Sequence, residues 1–105
     1  MSESNREVVE AGDLVINIVE KTVTRAGTPI NLTAKEFKLL ELLTRNKGKV
    51  FSKTELAEKV WGLNYDTGTN TIEVYINFLR NKIDKPFSEK LIYTKTGFGY
   101  YIKQS

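Results

Sequence analysis

Neither cysteine nor histidine occurs in the 105 residues of this chain. Without cysteine there is no disulfide, no thiolate zinc site and no thiol catalysis. Without histidine the commonest general base and the commonest metal ligand are missing. Carboxylates and lysines remain, but no nucleophile–base constellation is visible among them, so a small hydrolase has little support. The expectation is a protein that is not an enzyme and uses no metal and no cofactor. Long apolar runs are also lacking: none could cross a bilayer, and the N-terminus has no signal-peptide pattern. The expected setting is cytoplasmic, with no membrane partner.

What is present suits one modest core. Hydrophobic residues make up 40% of the chain, and the length fits one domain. The net charge is +3, unevenly spread. Residues 1–45 hold six basic and seven acidic groups, whereas residues 46–105 hold ten basic and six acidic ones. A basic C-terminal part suits a nucleic-acid partner, although charge imbalance alone decides nothing.

Met1 to Ala11 is polar and acidic and reads as a linker stub or disordered tail, which leaves residues 12–105 as the domain. Short β-like segments follow at Leu14–Ile18, Thr22–Thr24 and Pro29–Leu32, with a turn at Ala26–Gly27–Thr28. Three helix starts share one chemistry: Thr33 with Glu36, Ser52 with Glu55, and Asn70 with Glu73. In each pair a short polar side chain can cap free amides and an acid three residues on can reach back. The first helix stops near Asn46 to Gly48, the second at Gly62 and the third around Asp84 to Pro86. A hairpin closes the chain, from Leu91 to Thr94 and from Phe98 to Ile102, turning at Lys95–Thr96–Gly97. The fold class is therefore α+β: a winged helix-turn-helix with an N-terminal antiparallel sheet, three helices and a C-terminal β-hairpin wing.

The third helix has two unlike faces. Ile72, Ile76, Leu79 and Ile83 stack on one side as a core stripe. The other side carries Asn70, Val74, Asn77, Phe78 and Asn81. Amides match the donor and acceptor pattern of base edges, and apolar groups match the thymine methyl. The helix thus reads as one built for a DNA major groove, with Val74, Asn77, Phe78 and Glu73 as candidate base readers. Glu73 has two readings: it accepts from a cytosine amino group, or it closes the cap on Asn70. Phe78 has a buried reading beside the DNA one. Thr71, Arg80, Lys82 and Lys53 are the candidate phosphate contacts, with Arg80 and Lys82 expected to flank the outer face. Trp61 suits core packing. On the hairpin, Tyr93 and Tyr101 suit a cross-strand stack, and Gly97 and Gly99 suit a tight turn. A different class stays open, a winged-helix protein-interaction module using the Val74–Phe78 face.

In order along the chain, Leu32–Leu40 (LTAKEFKLL), Val60-Trp61-Gly62, Thr71–Ile76 with Leu79–Ile83, and Gly97-Phe98-Gly99-Tyr100 resemble the C-terminal effector domain of OmpR/PhoB-type response regulators. The resemblance implies a four-stranded N-terminal sheet and sequence-specific double-stranded DNA binding at promoters, as a tandem dimer on direct repeats. It implies transcription regulation within a two-component phosphorelay: an upstream receiver domain in the same full-length chain, and a cognate histidine kinase. It also implies that Leu63, Asn64, Tyr65 and Asp66, between the second and third helices, contact RNA polymerase, and that Trp61 touches the DNA backbone. The sequence departs from the family pattern where arginine is usual, at Asn70, Tyr93, Thr96 and Tyr101. The wing contact is then left to Thr94, Lys95 and Thr96, which are expected to hold phosphate and read little sequence.

Overall fold

A computed structural model describes residues 7–62 and 69–104 of the chain. Its first part is an antiparallel meander of β1 (Val8–Ala11), β2 (Leu14–Asn17), β3 (Thr22–Arg25) and β4 (Thr28–Ile30), in that spatial order. Alternation places Leu14 and Ile16 of β2 and Val23 of β3 on the inner face, with Ile16 opposite Val23 and Val23 opposite Ile30. Ala26 and Gly27 turn the chain between β3 and β4 with successive positive φ of 53° and 80°. That pair of values is the mirror-image turn that matches strand twist.

One sequence expectation needs correction here. From Val8 onward the acidic segment is not a tail: Val9 pairs with Ile16, and Ala11 is buried. The strand carries little sequence signal because it is four residues long and its inward side chains are only a partly buried Val9 and the small Ala11. The resemblance implied four strands where the residue pattern suggested three.

Two of the three reciprocal caps form. Thr33 Oγ1 accepts from the Glu36 amide at 3.3 Å while Glu36 Oε1 accepts from the Thr33 amide at 2.9 Å, opening α1 (Ala34–Arg45). Ser52 and Glu55 repeat this at 3.0 and 3.1 Å and open α2 (Lys53–Leu56). Each cap satisfies amides that a helix start leaves unpaired, worth about 1 kcal/mol. The third does not form. Asn70 lies inside α3 (Thr69–Leu79), and the Glu73 carboxylate instead accepts from Lys53 Nζ at the start of α2.

Both later helices widen at their ends. α2 runs on as a π-helical stretch, Ala57–Trp61, and α3 as another, Arg80–Asp84. The Gly62 amide reaches the Ala57 carbonyl at 3.1 Å and the Lys85 amide reaches Arg80 at 2.8 Å, each five residues back. The hairpin of β5 (Ile92–Lys95) and β6 (Gly99–Ile102) follows. Leu39, Leu40 and Leu43 of α1, Leu56 of α2, the α3 stripe, and Ile92 and Ile102 of the hairpin share one buried cluster with the sheet.

A buried cation locks the ends of this arrangement together. Arg25, only 1% exposed, donates to Asp13, to the Ile83 carbonyl at the end of α3, and to the Glu89 carbonyl at 2.7 Å. Beside it Asp84 accepts from the Leu91 and Ile92 amides at 2.9 and 3.2 Å. The β3 cation therefore fixes where α3 stops and where the hairpin begins.

Candidate nucleic-acid interface

The α3 stripe of Ile72, Ile76, Leu79 and Ile83 is at most 1% exposed, which turns the opposite side of the helix outward. Asn70, Glu73, Val74, Asn77, Phe78 and Asn81 are all exposed. Val74 and Phe78 stand out because apolar side chains of this size remain 44% and 43% exposed on a helix whose other face is fully packed. Three amides and two apolar groups thus project from one rigid element.

Both edges of α3 are tied down. Toward the hairpin, Arg80 Nη2 donates to Thr94 Oγ1 at 2.8 Å and to the Ile92 carbonyl at 3.2 Å, with its guanidinium 5.7 Å from the Tyr100 ring. Arg80 Nε is buried and has no partner among the described residues. Toward α1, Lys82 Nζ donates to Glu36 Oε1 at 2.8 Å. Each of these cations, expected on a flank of the outer face, already donates to an acceptor on a neighbouring element. Trp61 and Tyr75 meet edge to face at 4.9 Å, and Tyr75 meets Phe78 at 5.5 Å, so the half-buried Trp61 packs α2 on α3. Thr71 is half-buried near the helix start.

At the other end, Lys53 and Glu73 face the hairpin across an open cleft of about 530 Å³, bordered by Thr54 and by the turn from Thr94 to Tyr100. The hydrogen bond that Lys53 donates to the Glu73 carboxylate, with that group's charge, raises the Lys53 pKa above the ordinary lysine range.

Phe51 and Tyr100 exchange backbone hydrogen bonds of 2.9 and 3.0 Å, which pin the hairpin to the segment before α2. Gly99 has φ of 150°, and a Cβ there would lie 1.9 Å from the Phe51 carbonyl oxygen, so only glycine fits. Tyr93 and Tyr101 stack at 5.6 Å across the strands, as expected. Thr94, Lys95 and Thr96 are exposed.

Leu63, Asn64, Tyr65 and Asp66 lie outside the described residues. The residues that sequence reasoning missed are Arg25, Glu36 as partner of Lys82, and Phe98 at the hairpin tip. Only Phe98 carried a usable signal, an aromatic between two glycines in a turn. Among the described residues no cluster of acidic, histidine or cysteine side chains could hold a metal ion. No described helix is long and apolar enough to cross a membrane.

Residues 27–102 match the family described as "Transcriptional regulatory protein, C terminal". The chain is 45% identical over 94 residues to the transcriptional regulatory protein CusR of Escherichia coli K12, covering 90% of this chain and 41% of CusR. It is 39% identical over 97 residues to the transcriptional regulatory protein TrcR of Mycobacterium tuberculosis, covering 92% of this chain and 37% of TrcR. The chain thus spans about two fifths of these curated relatives. Among solved structures it resembles the DNA-binding domain of CpxR from E. coli, with a TM-score of 0.80, 30% identity, and 92% and 96% of the two chains covered. It also resembles the RstA DNA-binding domain of Klebsiella pneumoniae in complex with the RstA box, with a TM-score of 0.82, 26% identity, and 92% and 97% covered.

Proposed function

The chain belongs to the C-terminal family of transcriptional regulatory proteins, and on that premise we propose that it binds double-stranded DNA sequence-specifically through α3. One observation carries the reading: the exposed α3 face combines amides with Val74 and Phe78 at 44% and 43% exposure, on a helix locked at both edges. Asn77 and Val74 lie at the centre of the face and contact base edges, with Phe78 and Glu73 beside them. Thr71, Lys53, Lys95 and the Trp61 indole serve the phosphates. Arg80 and Lys82, whose donors are partly taken by Thr94 and Glu36, contribute charge within a screening length more than a direct contact.

In this reading the module is the promoter-binding output of a response regulator in a two-component system. A receiver domain lies upstream in the full-length chain and is phosphorylated by a cognate histidine kinase. Residues 1–6 then belong to the linker. Two copies bind direct repeats in tandem, Leu63 to Asp66 meet RNA polymerase, the setting is the cytoplasm, and no catalytic step is assigned to any residue.

A salt titration on duplex DNA tests the reading. The logarithm of the binding constant should fall linearly with the logarithm of salt, by about 0.9 per phosphate neutralised. A protein-interaction module using Val74, Phe78 and the neighbouring aromatics would bind DNA negligibly at every salt concentration.

A further inference from the structure

We propose that the groove between α1 and the outer strands of the sheet is a binding site for a small amphipathic anion, a carboxylate on an unbranched apolar chain. None of the residues lining it belongs to α3, so the proposal does not depend on the DNA reading. The groove has a volume of about 510 Å³ and opens to solvent. Sites for small molecules run from about 300 to 1,000 Å³. A stable protein partner needs about 800 Å² on each side, more than one such groove offers.

The groove exists because β4 is a short edge strand. It has three residues, with Pro29 at its centre, and no strand pairs beyond it. Ile30 at its end and Leu32 just after it are only partly buried against the core. Val23 of β3 and Phe37 of α1 complete the apolar lining, and both are buried. The chain supplies no side chain to cover this slot. Apolar surface left in water is surface that an alkyl chain can bury with a gain in free energy.

Positive charge gathers around the same slot. Lys21, Lys35 and Lys38 all border it, and none forms an ion pair among the described residues. Lys21 Nζ lies 5.9 Å from the Phe37 ring and donates to the Ile18 carbonyl at 3.2 Å. Lys35 Nζ donates to the Val60 carbonyl at 3.2 Å. Lys35 and Lys38 are three residues apart on α1 and so neighbour each other on its surface. The one acid among the lining residues, Glu41, already accepts from Arg45 at 2.9 Å. Carbonyl oxygens occupy single donors on two of the ammonium groups and cancel no charge. A carboxylate arriving here meets three cations and no unpaired anion.

An apolar floor under a cationic rim selects for two properties at once. A neutral apolar molecule gains only the floor. Phosphate or acetate gains only lysines that water and salt screen. A carboxylate on an apolar chain gains both, because the buried chain holds the charge where the lysines stand. A slot of this size takes single free molecules and not the face of a bilayer.

Decanoate, kept below its micelle-forming concentration, tests the proposal. Added to isotopically labelled protein, it should shift the amide resonances of Val23, Ile30, Leu32 and Phe37 saturably and leave those of Asn77 and Phe78 in place. Affinity should rise by about fourfold per methylene from hexanoate to decanoate. Decyltrimethylammonium, the same chain with the opposite charge, should bind about tenfold more weakly. Replacing Lys21 and Lys38 together by glutamine should weaken decanoate by about tenfold at an unchanged melting temperature. Ile30→Trp, which fills the slot and keeps the lysines, should abolish binding, and the lysine variant decides the matter if the tryptophan variant fails to fold. The proposal is overturned if the four resonances do not move, if affinity is independent of chain length, or if the cationic chain binds as well as decanoate. It is equally overturned if vesicles of phosphatidylglycerol bind at these residues and monomeric decanoate does not, which would make the groove part of a membrane contact.

Discussion

In the proposed reading, base recognition turns on Asn77. It is exposed near the centre of the α3 face and makes no side-chain hydrogen bond to the described residues, so its removal should leave the fold alone. Asn77→Ala should weaken a cognate duplex by roughly 1–3 kcal/mol and relax base preference at one position, checked by affinities on single-pair variants. Arg25 is the opposite kind of residue, invisible to sequence reasoning and central to the fold. Its acceptors lie on the β1–β2 turn, at the end of α3 and in the segment before β5, and no local pattern could bring them together. Arg25→Met leaves Asp84 beside an emptied site and should cost about 3–5 kcal/mol of stability in thermal or denaturant unfolding. Ala26 sits at φ of 53° in a turn that prefers asparagine or glycine at that position. Ala26→Asn should raise stability by about 0.5–1 kcal/mol, read as a higher denaturation midpoint.

At the level of elements, helices were legible and their ends less so. Thr33–Glu36 and Ser52–Glu55 announced two helix starts because both partners of each cap are local. Asn70–Glu73 has the same spacing but failed, because Lys53 offered Glu73 a charged partner from another helix. That pair supplies a further test. Glu73→Gln removes a negative charge from the exposed α3 face and, in the proposed reading, releases Lys53 toward phosphate. Non-specific affinity should rise several-fold, and the salt slope should steepen by about 0.9, one added phosphate contact. An unchanged slope would mean that Lys53 stays off the backbone. The same logic explains Arg80 and Lys82. Helical spacing put them on the flanks of the outer face but could not show that acceptors on β5 and α1 engage them, because these acceptors are distant in sequence. On the wing, Thr96→Arg should tighten binding generally and add to any A·T preference beneath the tip, since arginine exploits the stronger negative potential of a narrow groove.

Across the whole molecule, the path of the chain was largely readable. The order of strands, three helices and hairpin followed from period-two and helical patterns, and only β1 was missed. The outer face of α3 was readable for the same reason as its core stripe, since one helical period fixes both. What could not be read was long-range: the Arg25 lock, the cleft between α2 and the wing, and the clamp of Gly99 and Tyr100 on Phe51. A full-length chain gives one more test. Tyr65→Ala should spare DNA affinity and lower transcription in vitro if Leu63 to Asp66 meet RNA polymerase, and equal losses in both assays would make Tyr65 part of the scaffold. The central claim is that α3 reads base edges. The direct measurement compares unmodified protein with Asn77→Ala on a selected duplex and on every single-pair substitution of it. The account predicts that the unmodified protein loses about 1–3 kcal/mol at several clustered pairs and that Asn77→Ala becomes indifferent at one of them while keeping the rest. A uniform loss for the variant across all duplexes, or no loss on any, would contradict it.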